Sequence, residues 1–145
     1  MAWEAIEINN QIKINKNDFK ITINQSNSHS CRILFNSEFK TYLSEKCNDE
    51  DIMKYNVYYK PFIDIQNKLI GIKFLLNTES DCIPVKMRID RLYNNIRLSA
   101  YCTNTINKIE NDVGNIDIQK MKSIPVTLGD DDIFSFSFAP YLLNE

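Results

Sequence analysis

The sequence predicts a mainly β chain with two short helices, an α+β fold in which two ββαββ repeats close into a pseudo-twofold barrel. Three observations predict it. Apolar and polar residues alternate in many short runs, the pattern of half-buried strands. At two places that period of two switches to the helical period, as when a strand feeds a helix. The two switches also match residue by residue: Ile33 with Ile96, Phe35 with Leu98, Phe39 with Cys102 and Leu43 with Ile106, each at an offset of 63 (96 − 33). Two copies are too few for a solenoid, so the units are expected to close on each other.

With 145 residues, 43% hydrophobic and 25% charged, the chain has the size and content of one globular domain with a real core. Residues 1–18 read as lead-in strands, through Ile6-Glu7-Ile8 and Ile12-Lys13-Ile14, with Trp3 covering one end of the core. Repeat unit one is 19–76 and unit two is 85–138.

In unit one, Phe19-Lys20-Ile21-Thr22-Ile23 alternates as a strand, and Arg32-Ile33-Leu34-Phe35 follows a polar loop as its partner. Asn36-Ser37 is placed to cap a helix through side-chain oxygens, with Phe35, Phe39, Tyr42 and Leu43 as the helical stripe. Tyr55-Asn56-Val57-Tyr58-Tyr59 reads as the third strand, and Pro61, which cannot donate to a ladder, marks an edge, bulge or end. After a turn, Leu69 to Leu76 is nearly continuous in apolar residues and is expected to be buried on both faces, with Gly71 marking a bulge or a close backbone approach.

Unit two repeats the order. Val85-Lys86-Met87-Arg88-Ile89 and Ile96-Arg97-Leu98 are its first strands, and Ser99 is the cap of a helix with Leu98, Cys102, Ile106 and Ile109 on its stripe. Ile124-Pro125-Val126-Thr127-Leu128 and the run from Ile133 to Phe138 flank a Gly129-Asp130-Asp131 turn.

Charge is unevenly distributed. The net charge is −2, yet Cys82 to Lys108 holds Lys86, Arg88, Arg91, Arg97 and Lys108 against Asp90 alone. From Ile109 onward two lysines face seven acids. Alternation puts Lys86, Arg88 and Asp90 on one strand face, where phosphate contacts with help from Arg97 are physically reasonable, and Tyr93 is near enough to stack on a base. A solvated face partly neutralised by Asp90 is the plainer reading of the same residues.

No constellation for catalysis is found, so the chain reads as non-catalytic. His29 and Cys31 lie two apart without a third orienting group, and a loop histidine explains them. Asp130-Asp131-Asp132 could offer carboxylates to a hard cation, but a turn between strands explains them fully. With three glycines there is no phosphate-cradling loop, and no metal or cofactor is expected. The opening MAWEAIEINN shows no basic stretch followed by an apolar run, and no apolar stretch approaches the roughly 20 residues of a membrane span. A cytoplasmic location is expected, with Cys31, Cys47, Cys82 and Cys102 as reduced thiols and no membrane partner.

Ile21-x-Ile23 followed by Arg32-Ile33-Leu34-Phe35-Asn36 and a helix resembles the N-terminal half of an AbrB/MazE-type swapped-hairpin domain (SpoVT-AbrB-like). Val57-Tyr58-Tyr59, the turn at Asn67-Lys68 and Leu69-Ile70-Gly71-Ile72-Lys73 resemble its C-terminal half, and unit two follows more loosely, as in the tandem MraZ type. The family usually has a Gly in the first hairpin loop and a Pro at the helix start, where this chain has Ser28-His29-Ser30 and Asn36-Ser37. The resemblance implies an interlocked barrel, as monomer or homodimer, and DNA binding in a transcription factor or antitoxin through basic residues of the first hairpin and the barrel face. Carried over by position, these are Lys20 and Arg32 in unit one and Lys86, Arg88, Arg91 and Arg97 in unit two. The alternative is a protein-interaction module, such as an inhibitor or accessory factor of a mobile element, with Tyr55, Tyr58, Tyr59 and Phe62 around Pro61 as the contact surface.

Overall fold

The computed structural model describes residues 3, 18–26, 29–77, 81–92 and 95–143. The lead-in strands expected before residue 18 and Tyr93 lie outside these. In chain order the elements are β1 (Phe19–Gln25), β2 (Cys31–Phe35), α1 (Ser37–Cys47), β3 (Tyr58–Asp64), β4 (Leu69–Leu75), β5 (Ile83–Pro84) and β6 (Lys86–Asp90). They continue with β7 (Asn95–Tyr101), α2 (Thr103–Asp112), β8 (Ile124–Leu128) and β9 (Phe134–Ser137). Each helix is followed by one short 3-10 turn, Ile52–Lys54 after α1 and Ile118–Lys120 after α2.

The strands form one antiparallel sheet in the order β5-β3-β4-β9-β8-β1-β2-β7-β6. Its two ends are nearly the same stretch of chain. Only Val85 separates β5, which pairs with β3, from β6, which pairs with β7, so the sheet comes round almost to closure. Val85 N–H donates to Val57 C=O at 2.8 Å at that junction.

Hairpins of the two units alternate around the barrel. The β1–β2 hairpin lies between β8 and β7, and the β3–β4 hairpin between β9 and β5. Two of the ladders between units join equivalent strands, second with second and fourth with fourth, as a pseudo-twofold arrangement requires. The β2–β7 ladder pairs Ile33 with Ala100, flanked by Arg32↔Tyr101 and Leu34↔Ser99. The β4–β9 ladder pairs Gly71 with Ser135, flanked by Ile70↔Phe136 and Ile72↔Phe134. A Cβ at Gly71 would stand 2.9 Å from Ile133 Cγ2 and 3.2 Å from Phe62 Cβ, which is the close approach that the glycine signalled.

The offset of 63 read across the first strands and helix is corrected to 66 by the elements themselves: α1 and α2 begin 66 apart (103 − 37), and so do the 3-10 turns that follow them (118 − 52). The slip of three (66 − 63) is close to one helical turn, so the helical stripe reads alike at either offset. Ser99 is likewise not a cap: β7 runs on to Tyr101, and α2 begins at Thr103 behind Cys102. Asn36 precedes α1, but its side-chain amide donates to Asp18 C=O at 2.8 Å instead of capping. The third strand starts at Tyr58 and continues through Pro61, which β3 tolerates because β5 pairs only with Tyr58 and Tyr59. β4 buries Ile70, Ile72 and Phe74 while Leu69, Lys73 and Leu75 are half-buried, since a barrel strand has one inner face. Trp3 covers no part of the core; it is 85% exposed.

Inside the barrel, Phe39 of α1 is fully buried. Its ring lies 5.0 Å from Phe19, 5.0 Å from Phe35, 5.8 Å from Phe74 and 4.9 Å from Phe134, so residues from both units meet on one helix position. Edge-on aromatic pairs of this kind add about 0.5–1.5 kcal/mol each beyond the area they bury. Leu43 follows Phe39 one turn on, while Ile106 and Ile109 anchor α2 in the same way. α1 is tied to the β8–β9 turn by Asp132, which accepts hydrogen bonds from Tyr42 Oη and, at 3.1 Å, from Lys46 Nζ.

Candidate nucleic-acid interface

Strand alternation decides which side chains leave the barrel. Phe19, Ile21, Ile23, Cys31, Ile33, Phe35, Leu98 and Ala100 point in, so their neighbours point out. The outer face of β1, β2, β7 and β6 thus carries Lys20, Thr22 and Asn24; Arg32 and Leu34; Arg97, Ser99 and Tyr101; and Lys86, Arg88 and Asp90. Ladder partners align these into rows across the strands: Asn24 opposite Arg32 opposite Tyr101, Leu34 opposite Ser99 opposite Lys86, and Arg97 opposite Arg88.

Five of the six basic residues picked out in the sequence therefore share one face: Lys20, Arg32, Lys86, Arg88 and Arg97. Arg91 does not; it is exposed in the turn that follows β6. Arg88 directly opposite Arg97 is a like-charge pair, an arrangement that costs stability unless an anion intervenes. Arg97 is partly neutralised, with its guanidinium 2.8 Å from Asp90. Lys20 has the same relation to Asp18 at 3.6 Å. Lys122 adds a further cation beside β1, its Nζ donating to Ile23 C=O at 2.7 Å and to Asn24 Oδ1.

Tyr101 is the residue that sequence reasoning missed. It is 42% exposed at the end of β7, with Arg32 Cζ 4.9 Å and Lys86 Nζ 4.8 Å from its ring centroid. Arg32 also donates to Ser99 Oγ at 3.4 Å. From the inner side, Tyr59 of β3 reaches across to donate its hydroxyl to Tyr101 C=O. Burial raises the Tyr59 phenol well above its ordinary pKa, so the donor keeps its proton. The Cys102 N–H donates to Cys31 C=O at 2.8 Å, which holds the same end of β7 against β2. The signal for Tyr101 was its parity with Arg97, hidden once the strand was ended at Leu98.

The other candidate chemistry disperses. His29 sits exposed at the hairpin tip in the left-handed region (φ 66°), a conformation that suits the glycine the resemblance expects there. Cys31 is 1% exposed on the inner side of β2, and burial raises its thiol pKa, the reverse of an activated nucleophile. Asp131 accepts the Ile133 N–H at 3.2 Å while Asp132 turns to α1, so the acidic triplet does not converge. Among the described residues no group of three or more acidic, Cys or His side chains is placed to hold a metal ion. All four cysteines are free thiols.

The aromatic group around Pro61 is also split. Tyr59 is in the core, Tyr55 donates to Asp49 at 3.1 Å, and Phe62 is 39% exposed on β3. Among the described residues no helix is long and apolar enough to cross a membrane. Comparison with protein-family models, curated proteins and solved structures gives no match to this chain, so its function is argued from the sheet face itself.

Proposed function

We propose that this chain is a non-catalytic DNA-binding protein, regulatory in role and AbrB-like in build, that contacts phosphates through the outer face of β1, β2, β7 and β6. One observation carries the reading: Arg32, Lys86, Arg88 and Arg97 come from three adjacent strands and both repeat units, yet they meet on one face. Among the described residues only Asp90 forms an ion pair with one of these four. Such a surface attracts polyanions and releases their counterions on binding.

The test is electrophoretic retardation of DNA across a salt series. Binding should weaken steeply as salt rises, and Arg88→Ala with Arg97→Ala should weaken it further while flattening the salt slope by about 0.9 per lost contact to a duplex phosphate. Failure to retard any DNA at low salt ends the proposal.

A protein-interaction role, as an inhibitor or accessory factor, has one feature in its favour. Among the described residues β3 beyond Tyr59 has no strand neighbour on its β5 side, and exposed Phe62 lies on that stretch. A strand edge of this kind can accept an added strand from a partner. Recovery of a stoichiometric partner that Phe62→Asp abolishes would favour this role over DNA binding.

A further inference from the structure

We infer that the basic face takes an unpaired nucleic-acid strand in preference to a duplex, with Tyr101 as the platform on which a base stacks. The inference rests on the nucleic-acid reading above and names the substrate class of that same face.

The first reason is shape. Four strands at the ordinary spacing place the outermost axes about 14 Å apart, before side chains are added. A duplex major groove is about 12 Å wide and admits a helix or a two-stranded ribbon. The face is broader than the groove, so it cannot read base edges there. An unpaired strand has no such limit, because its backbone can follow the rows of cations while its bases turn toward the sheet.

The second reason is Tyr101. An exposed aromatic amid basic residues is the combination that sequence-tolerant single-strand binders use. This ring is also held in place: its carbonyl is hydrogen-bonded to Tyr59 from inside the barrel, and the next residue is bonded to β2. Arg32 and Lys86 both lie against the ring, from the strands on either side of it. For a base to stack, one of them must move. A cation against an exposed ring contributes roughly a two- to fivefold factor, whereas a stacked base contributes about five- to 150-fold. Lys86 is the one to yield. Its flexible ammonium exchanges the ring for a phosphate, while the Arg32 plane, which also bonds to Ser99, extends the stacking surface.

Fluorescence anisotropy with labelled oligo-dT, oligo-U and a duplex of equal length tests this, with probes longer than the roughly 4–16 nucleotides that a stacking sheet covers. Both unpaired probes should bind more tightly than the duplex, and the dT and U arms show whether deoxyribose or ribose is favoured. Tyr101→Ala should weaken unpaired binding about five- to 150-fold and leave duplex binding nearly unchanged, while Tyr101→Phe should retain most of the affinity. If Tyr101→Ala fails to fold by circular dichroism, Tyr101→Thr keeps a strand-favouring residue and serves instead.

Equal or tighter duplex binding overturns the inference but leaves the nucleic-acid reading standing. So does wild-type affinity in Tyr101→Ala while Arg88→Ala with Arg97→Ala still weakens binding. No binding of any probe at low salt overturns both.

Discussion

Replacing Asp90 by Asn is the sharpest probe of the proposed interface, because it predicts a gain and not a loss. Asp90 sits at the end of β6 with its side chain only 16% exposed, and one oxygen lies 2.8 Å from Arg97. The other oxygen accepts the Leu92 N–H at 3.2 Å, a contact that an Asn side-chain oxygen can keep. The substitution therefore leaves the turn intact and frees one guanidinium. A partly exposed ion pair contributes about 0–1 kcal/mol to stability, so the fold should hold. If Arg97 then takes one more phosphate, the salt slope should steepen by about 0.7 for an unpaired strand or 0.9 for a duplex. Between 50 and 200 mM salt, that is about 2.6-fold more affinity lost by the variant than by the parent on a single strand. Anisotropy titrations at four or more salt concentrations measure both the affinity and the slope. Tighter binding at low salt with a steeper slope is expected, and adding Arg97→Gln should abolish the gain. An unchanged slope, or weaker binding at low salt, would refute the reasoning.

Three further outcomes are expected. Phe39→Ala removes the ring on which Phe19, Phe35, Phe74 and Phe134 converge, and should cost about 3–5 kcal/mol in urea denaturation, with Phe39→Leu costing distinctly less. The Asp132 carboxyl is held below its ordinary pKa chiefly by the Tyr42 hydroxyl, with help from Lys46. Its contribution is therefore present in full above the unfolded value of about 3.9 and fades as pH falls through the lowered one, so Asp132→Asn should flatten the acid limb of a melting-temperature profile below about pH 4. Burial raises the Cys102 thiol, while Cys82 is only half-buried. Native-state alkylation followed by mass spectrometry should therefore label Cys82 first and Cys102 only on unfolding.

The sequence revealed parity far better than register. Alternation put Lys86, Arg88 and Asp90 on one strand face because a period of two assigns every strand residue to a face, whatever its partner. Lys20 and Arg32 came from the family resemblance, and their place on the same face required the fold. The helical stripe could not distinguish an offset of 63 from one of 66, since three residues are close to one turn. Local preference also misplaced the end of β7. Ser99 reads as a helix cap, but pairing with Leu34 and Lys86 on either side keeps it in the ladder. That error concealed Tyr101, two residues further along the same face. Pro61 was legible as an edge signal, but it did not stop the strand, because only one side of β3 had to supply bonds there. The Arg32 and Tyr101 pairing lies between residues 69 apart (101 − 32) and required the fold.

The alternation of hairpins around the barrel has a consequence for how the chain acquires its structure. Among the described residues neither unit contains a ladder between its own two hairpins, so either half, made alone, would have unpaired edges on both hairpins, and the first half would lack the Phe134 ring that closes the cluster around Phe39. Nearly every strong contact between hairpins is long in sequence, which implies slow folding in one cooperative step and no stable half-folded state. Cutting the chain between residues 77 and 82, ahead of β5, should yield two fragments that are unstructured apart and recover the barrel when mixed, a test by circular dichroism at increasing concentration. The basic face draws on both fragments, so it should be recovered only when the halves recombine.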